Sequence, residues 1–304
     1  MIRNACPTLL QLTEGVYLPS RLGMRANSAA QLVLVARHFD AFSHSLPVSE
    51  ITDELETAWL QSLVKSGLSP STVNTRRRSL NTLRTFAYKK HFSDEPPRDV
   101  PRMREPARVP EAWTVEEVAS LLQATGRLPG RLGNCSASSW WTALVSLCYW
   151  SGARIGDVMA SRSDSLDLDR GTWTCTASKT GKQHRYQLHP TCVASLARIH
   201  NAGRQLLFAW PYSPGHLFVV FRGIVKASGI RYDGGRRMLF HRLRRTHASY
   251  CWASDPALAV AQMDHSSARV TQTHYVDPSI GTSVSAADVL PIPIVTTDRQ
   301  RRLF

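Results

Sequence analysis

Residues 139–157 read SWWTALVSLCYWSGARIGD, and they decide the architecture of the larger part of the chain. Residues 139–150 are nearly all apolar, which predicts a helix that is buried on every side. Gly152 is expected to stop this helix, because glycine adopts the left-handed conformation with which many helices end. The sequence therefore presents Arg154 at the end of a buried helix.

Regular structure is predicted on both sides of that helix. Upstream, Thr114 and Glu117 form a capping-box pattern, which starts a helix. Downstream, residues 171–176 and 184–189 have the composition of two short strands, and the SKTGK sequence of residues 178–182 supplies the turn between them. Further helices are expected at residues 190–201, 214–228, 241–254 and 256–263.

The first third of the chain forms a separate helical block. Two helices are predicted at residues 28–42 and 49–65, and a third begins with Ser69 as N-cap and Pro70 at its first position. Residues 93–110, SDEPPRDVPRMREPARVP, contain five prolines and no hydrophobic period. We therefore predict an extended linker, too polar to be buried, that divides the chain near residue 109.

The charge of the chain points to a polyanionic partner. Its 304 residues contain 37 basic and 23 acidic side chains, which gives a net charge of +14. Such an excess favours nucleic acid or an acidic membrane surface. The helix that begins at Pro70 is either a solvated face or a helix lying along a phosphate backbone, and the second reading is favoured because no acid relieves its charge. Its basic residues are Arg76, Arg77, Arg78, Arg84, Lys89 and Lys90.

Several functional classes find no support in the sequence. It contains no phosphate-binding GxxxxGK[ST] or GxGxxG loop, no HExxH and no GxSxG. It also lacks CxxC pairs, a signal-peptide core and an apolar run long enough to cross a bilayer, which favours a cytoplasmic protein associated with the nucleoid. A histidine-rich end invites a metal site, but three arginines lie among these histidines and would repel a dication, so no metal is expected. The histidines are His241, His247, His265 and His274, and the arginines are Arg242, Arg244 and Arg245.

A constellation of single residues remains, and together they resemble the catalytic pattern of the tyrosine recombinases, or phage integrase family. That family carries an arginine in a T-G-x-R-x-x-E/D sequence, a lysine in a hairpin turn, H-x-x-R, G-H and a later tyrosine. The chain matches this order with SGARIGD, SKTGK, HRLR, DHSS and THY, and the resemblance covers roughly residues 28–280. The matching residues are Arg154, Lys179, His241, Arg244, His265 and Tyr275.

The chain departs from the family pattern at two places. Asp264 precedes the second histidine where the family usually has glycine, and it could either pair with His265 or face solvent. Lys182 lies in the same turn as Lys179 and is a rival for the role of the lysine. The first lysine fits the family register better.

The resemblance implies a mainly α fold with a small β-hairpin sheet, arranged as a two-domain clamp on duplex DNA. It implies an N-terminal arm (1–27), a helical core-binding domain (28–92), a linker (93–110), a catalytic domain (111–282) and a C-terminal tail (283–304). Tyr275 would attack a phosphodiester to form a 3′-phosphotyrosyl bond, without metal or other cofactor. Arg154, Arg244 and His265 would stabilise the charge that develops on the phosphate oxygens.

Two roles in that scheme concern protons. His241 would assist the tyrosine as base or orienter, and Lys179 would protonate the leaving oxygen as general acid. Lys182, Arg242 and Arg245 are further candidates for contacting DNA.

The implied partners are double-stranded DNA with a specific recombination site and three more copies of the chain, forming a tetramer on DNA. Accessory DNA-bending proteins are compatible with the family, and a membrane partner is not expected. Two alternatives stay open. One is a DNA-binding protein of the same fold with impaired catalysis, and the other is DNA relaxation of the type IB topoisomerase kind.

Overall fold

The computed structural model describes residues 6–98, 100–106, 109–232, 239–264 and 267–280. It divides into two compact units, Met1–Ala107 and Arg108–Phe304. Both are mainly helical, and the β structure in the described residues consists of short antiparallel strands. The predicted fold class, mainly α with a small β-hairpin sheet, is confirmed.

Unit 1 is a helical bundle around one apolar core. Its longest helix begins where the sequence predicts, because the Ser69 side chain accepts a hydrogen bond from the backbone of Thr72 and Pro70 occupies the first helical position. Phe39 and Trp59 meet edge to face in the core. The helices are α1 (Leu9–Leu12), α2 (Ala26–Phe42), α3 (Asp53–Lys65) and α4 (Pro70–Lys89), and a π-helical turn spans Thr13–Tyr17.

Two segments that the sequence places outside this bundle belong to its core. Leu9 and Leu12, expected in an N-terminal arm, are completely buried. Val100, expected in an exposed linker, is also buried, and Asn74 holds the backbone of Met103 through two hydrogen bonds of 2.9 Å. The linker is therefore not too polar to be buried, because its few apolar side chains cover the bundle while its prolines keep it extended.

Unit 2 is built around the helix that the opening stretch predicts. This helix, α6 (Ala137–Ser151), lies in the core and ends at Gly152, whose φ of +60° is the left-handed conformation expected of a stop residue. The predicted capping box at Thr114 and Glu117 is present. The neighbouring helices are α5 (Val115–Gly126), α7 (Ile155–Met159), α8 (Pro190–Ala197) and α9 (Pro214–Ala227).

The predicted hairpin forms with small shifts of its ends. Strands β4 (Thr172–Thr176) and β5 (Gln183–Gln187) pair antiparallel, with Cys175 opposite His184. A two-residue strand, β3 (Leu166–Asp167), adds to β4, and a second small ribbon joins β1 (Arg131–Leu132) to β2 (Cys135–Ser136). These two-residue strands were not predicted, because two residues carry no measurable period.

Three consecutive helices complete unit 2 and carry most of the candidate site. They are α10 (Leu239–Ser254), α11 (Pro256–Met263) and α12 (Ala268–Tyr275). Helix α10 packs against α6, α11 and α12. Its inward face therefore lies between the C-terminal end of α6 and helix α12. Helix α12 was not predicted, and Tyr275 is its last residue.

Candidate active site

Arg244 is the buried centre of the site. It lies on α10, is 3% exposed, and donates hydrogen bonds to the carbonyl oxygens of Gly152 (2.6 Å) and Met263 (2.8 Å). These carbonyls lie at the C-terminal ends of α6 and α11, where helices carry partial negative charge. Burial lowers the pKa of Arg244, and the nearby Arg154 acts in the same direction. The guanidinium nevertheless remains charged, since its ordinary pKa is above ~12.

Tyr275 lies against Arg244 and His241. Its ring centroid is 5.4 Å from the guanidinium carbon of Arg244. The ring of His241 has its centroid 5.1 Å from that of Tyr275. Ser249 fixes the backbone by donating to the Tyr275 carbonyl at 3.2 Å and accepting from the Asp277 amide at 2.8 Å. The phenol is thus held next to a fixed cation and an imidazole.

His241 is held in its neutral form. Burial lowers the pKa of its imidazole to about 4, and the charges of Arg245, Arg244 and Arg154 act in the same direction. At neutral pH the ring can therefore accept a proton, although a group with such a low pKa is a weak base. A bound phosphate would oppose the arginine charges and raise this pKa towards the operating pH.

Arg154 opens onto the same cavity as His241 and Arg244. The cavity has a volume of about 340 Å³, and Phe218 and Phe240 supply apolar walls. The Arg154 side chain is 30% exposed, and its guanidinium lies 3.9 Å from the buried carboxylate of Asp157. Two guanidiniums and an imidazole around one opening suit an anion with several oxygens.

His247, one of the four histidines at this end of the chain, packs against the turn that ends α6. The position of a Cβ on Gly152 would be 2.4 Å from Cδ2 of His247, so only glycine fits there. The His247 ring contacts the Tyr149 carbonyl at 2.9 Å, and burial lowers its pKa to about 4. His247 thereby supports the turn whose carbonyl holds Arg244.

We expect Gly152→Ala to lower the free energy of unfolding of unit 2 by about 2–5 kcal/mol. Left-handed strain contributes about 1–2 kcal/mol, and overpacking against His247 about 1–3 kcal/mol. Urea denaturation followed by tryptophan fluorescence measures the change. Gly156→Ala is the matched control, because a Cβ there has open space and Gly156 lies within helix α7. A Gly152→Ala protein as stable as the control variant would contradict the packing argument.

The hairpin turn contains the two candidate lysines, and they differ in their contacts. Lys179 is exposed, whereas Lys182 lies 3.4 Å from the carboxylate of Asp264. Asp264 has a φ of +51°, is 14% exposed, and also contacts His184 and Thr180. Of the two alternatives that the sequence left open for Asp264, exposure to solvent does not hold, because the hairpin covers most of its carboxylate. His265, the other partner expected for Asp264 and a predicted site residue itself, lies outside the described residues.

Two of the arginines predicted to contact DNA have other partners. Arg84 is buried and binds the carboxylates of Asp53 (2.8 Å) and Glu56 (2.6 Å), so it joins α4 to α3 inside unit 1. Arg242 is paired with Glu111 at 3.0 Å, with 14% of its side chain exposed. The prediction for Arg84 is wrong, because a buried cation needs a fixed internal counter-charge. The DNA contact of Arg242 stays a prediction, since its partner Glu111 is 62% exposed.

The other predicted DNA-contacting residues are more accessible. Arg77 is half-buried and donates to the Val100 carbonyl, and Arg76 contacts His38 at 3.4 Å. Arg245 is half-buried on α10 beside the Tyr275 ring. The exposed members of the set are Arg78, Lys89, Lys90 and Lys182.

Neither a metal centre nor a membrane span is found in the described parts of the chain. They contain no group of three histidine, cysteine or acidic side chains that could hold a metal ion. No helix among them is long and apolar enough to cross a bilayer.

Known proteins resemble the chain in both sequence and fold. Residues 112–280 match the model of the phage integrase family. The integrase/recombinase y4rB of Sinorhizobium fredii is 29% identical over 181 residues, which are 58% of this chain and 56% of that protein. Tyrosine recombinase XerD of Ralstonia nicotianae is 25% identical over 217 residues, which are 67% of this chain and 68% of that protein.

Two solved structures share the fold at low sequence identity. A lambda integrase dimer bound to a core site superimposes with a TM-score of 0.68 at 18% identity, over 86% of this chain and 93% of that one. The Tn1549 transposon integrase in complex with a circular intermediate DNA reaches 0.70 at 15% identity, over 89% and 95%. At these identities the likeness concerns the fold.

Proposed function

The chain belongs to the phage integrase family, and on that premise we propose that it is a site-specific tyrosine recombinase, which cuts and rejoins duplex DNA through a 3′-phosphotyrosyl intermediate. The observation that carries the proposal is the packing of the Tyr275 ring against Arg244 and His241. A phenol in that position has both a cation for its developing negative charge and an acceptor for its proton. Few structural roles require this combination in a half-buried pocket.

The proposed chemical step assigns a role to each of these groups. The Tyr275 oxygen attacks phosphorus, its bond to phosphorus forms, and the bond from phosphorus to the 5′ oxygen breaks. Arg154 and Arg244 stabilise the phosphate oxygens, and His265 is proposed to act with them. His241 takes or orients the phenolic proton, and Lys179 gives a proton to the departing oxygen. The phosphotyrosine retains the energy of the broken bond, so the second strand can be joined without ATP.

Assembly on DNA is part of the same proposal. Lambda integrase is known as a tetramer bound to a Holliday junction. We expect four copies of the present chain to exchange strands between two sites, with integration, excision or resolution of a mobile element or replicon as the outcome. Such an enzyme would act on the nucleoid in the cytoplasm, and DNA-bending proteins could assist it.

A nicked suicide substrate tests the proposal against the first alternative, and a plasmid relaxation assay tests it against the second. Because of the nick, cleavage releases a short fragment that carries the 5′-hydroxyl group, and this fragment diffuses away. The strands cannot be rejoined, so an active tyrosine recombinase accumulates an SDS-resistant protein–DNA adduct. A DNA-binding protein with impaired catalysis would shift the substrate in a gel without forming the adduct. Relaxation of supercoiled plasmids without site preference would instead indicate a topoisomerase.

Phosphate contacts by unit 1 can be tested through the salt dependence of binding. Lys89→Gln and Lys90→Gln each remove an exposed charge at the end of α4. Each lost contact should weaken binding to all sequences alike and flatten the slope of log Kd against log salt by ~0.9. Lys65→Gln, at the exposed end of α3, is the matched control and should leave the slope unchanged. Slopes equal to that of the parent protein would assign Lys89 and Lys90 to a solvated face.

A further inference from the structure

Asp264 occupies a backbone position that favours glycine, yet its side chain has specific partners. Its φ of +51° lies in the left-handed region, which glycine adopts without strain and which aspartate adopts more often than most other residues. Because an aspartate there carries a modest conformational cost, its carboxylate would be expected to make compensating contacts. Among the described residues it contacts three, Thr180, Lys182 and His184, and they belong to the β4–β5 hairpin and its turn.

These contacts join segments that are about eighty residues apart in the chain. One carboxylate oxygen of Asp264 lies 3.4 Å from Nζ of Lys182. The other lies 3.2 Å from Nε2 of His184 and accepts a hydrogen bond of 3.4 Å from the Thr180 hydroxyl. The carboxylate is 14% exposed, and although burial raises its pKa, His184 and Lys182 outweigh that effect and keep the group ionised. An isolated surface pair contributes little, but three partners on one half-buried carboxylate form a network.

The opposite end of the hairpin turn is also fixed by a carboxylate. Asp157, buried beside Arg154, accepts a hydrogen bond of 2.9 Å from the backbone amide of Ser178. The turn is therefore held before Lys179 by Asp157 and after Lys179 by Asp264. Within the described part of the chain, Lys179 itself is exposed and has no assigned partner.

We infer that Asp264 is a positioning residue that fastens the hairpin through Lys182 and thereby sets the reach of Lys179 to the scissile phosphate. The inference rests on the proposed function, because it takes Lys179 as the general acid. In this inference Lys182 anchors the turn, and Lys179 is the general acid. It also explains how a carboxylate can lie near a phosphate site, since Lys182 compensates its charge.

A substrate with a 5′-bridging phosphorothiolate distinguishes a loss of activity caused by a displaced general acid from a loss caused by poorer folding, binding or charge stabilisation. A sulfur leaving group departs without a proton, so defects in protonation disappear with this substrate, while defects in folding, binding or charge stabilisation persist. For Asp264→Asn we expect single-turnover cleavage of the ordinary substrate to fall about 10- to 100-fold, as is typical of a displaced catalytic group. Cleavage of the sulfur substrate should stay within about twofold of the parent protein, and half-site binding should be unchanged.

Two further variants examine the pair itself. Lys182→Gln should reproduce the loss of Asp264→Asn, and the double variant should lose no more than either single variant, because both remove the same contact. Asp264→Gly should lose activity in the same way, although glycine suits the backbone better. Asp164→Asn is the matched control, since Asp164 forms an exposed ion pair with Arg162 at 2.8 Å outside the site, and it should change nothing.

Hydrogen exchange of the full-length protein gives a readout that does not depend on chemistry. Amides in residues 178–184 should exchange faster in Asp264→Asn than in the parent protein, while those of α6 stay protected. Unchanged exchange with unchanged cleavage would overturn the inference, and so would an equal loss of cleavage on both substrates. Failure of the sulfur substrate to rescue Lys179→Ala would instead refute the general acid of the proposed function, whatever the exchange data show for Asp264.

Discussion

Tyr275→Phe is expected to abolish covalent adduct formation while leaving DNA binding intact. The substitution removes one hydroxyl and keeps the ring that packs against His241 and Arg244. Arg244 retains its hydrogen bonds to the carbonyls of Gly152 and Met263, so the cation should stay in place. The nucleophile is lost and no neighbouring group replaces it, so we expect the adduct to fall below detection.

The measurement is denaturing electrophoresis after incubation with a nicked suicide substrate, together with a gel-shift titration. Tyr250→Phe is the matched control. Tyr250 also lies on a helix of unit 2, but it is in the last turns of α10, away from His241 in the first turn. It should form the adduct at the rate of the parent protein. An SDS-resistant adduct of Tyr275→Phe would show that another residue is the nucleophile.

Lys179→Ala is expected to slow cleavage by ~10²–10⁴-fold, the usual contribution of a general acid. The lysine is exposed on the hairpin turn, so its removal should leave the free energy of unfolding almost unchanged. A substrate with 5′-bridging sulfur should restore cleavage by Lys179→Ala, because its leaving group needs no proton. The same substrate should not restore Arg154→Ala, since that variant loses a charge that stabilises the phosphate oxygens.

Single-turnover rates on matched oxygen and sulfur substrates give the result. Lys182→Ala provides the comparison within the same turn, and its loss should be smaller than that of Lys179→Ala. A larger loss for Lys182→Ala would exchange the roles of the two lysines. Equal rescue of Lys179→Ala and Arg154→Ala, or rescue of neither, would remove Lys179 from the protonation step.

Most of the helices of both units could be predicted from local sequence. The end of α6 at Gly152, the capping box of α5 and the proline-led start of α4 each depend on residues within four positions of one another. The HRLR spacing likewise placed His241 and Arg244 on one face of α10, because helix geometry alone brings residues three apart together. Helix α12 escaped prediction because it is short and has few apolar residues.

The local sequence did not predict the partners of the charged residues. Arg84 stands in a run of basic residues that favours a phosphate contact, but α3 brings Asp53 and Glu56 against it from about thirty residues away. For Asp264 the sequence left open a pairing with His265 or exposure to solvent, and it did not indicate the contacts with Lys182 and His184 that the hairpin supplies. In both cases the deciding contact is made by a segment distant in sequence.

The sequence by itself determined the position of most helices, the strands of the hairpin and, through the resemblance to a family, the fold class and the candidate site residues. The positions of the helices and of the hairpin follow from short-range sterics, capping and periodicity, which depend on neighbouring residues. Tertiary structure alone decided that Arg244 is held by the ends of two helices, that Val100 is buried, and that Asp264 contacts the hairpin. These contacts depend on packing. The free energy of burying a charged or apolar side chain depends on which distant segment covers it and which partner that segment supplies.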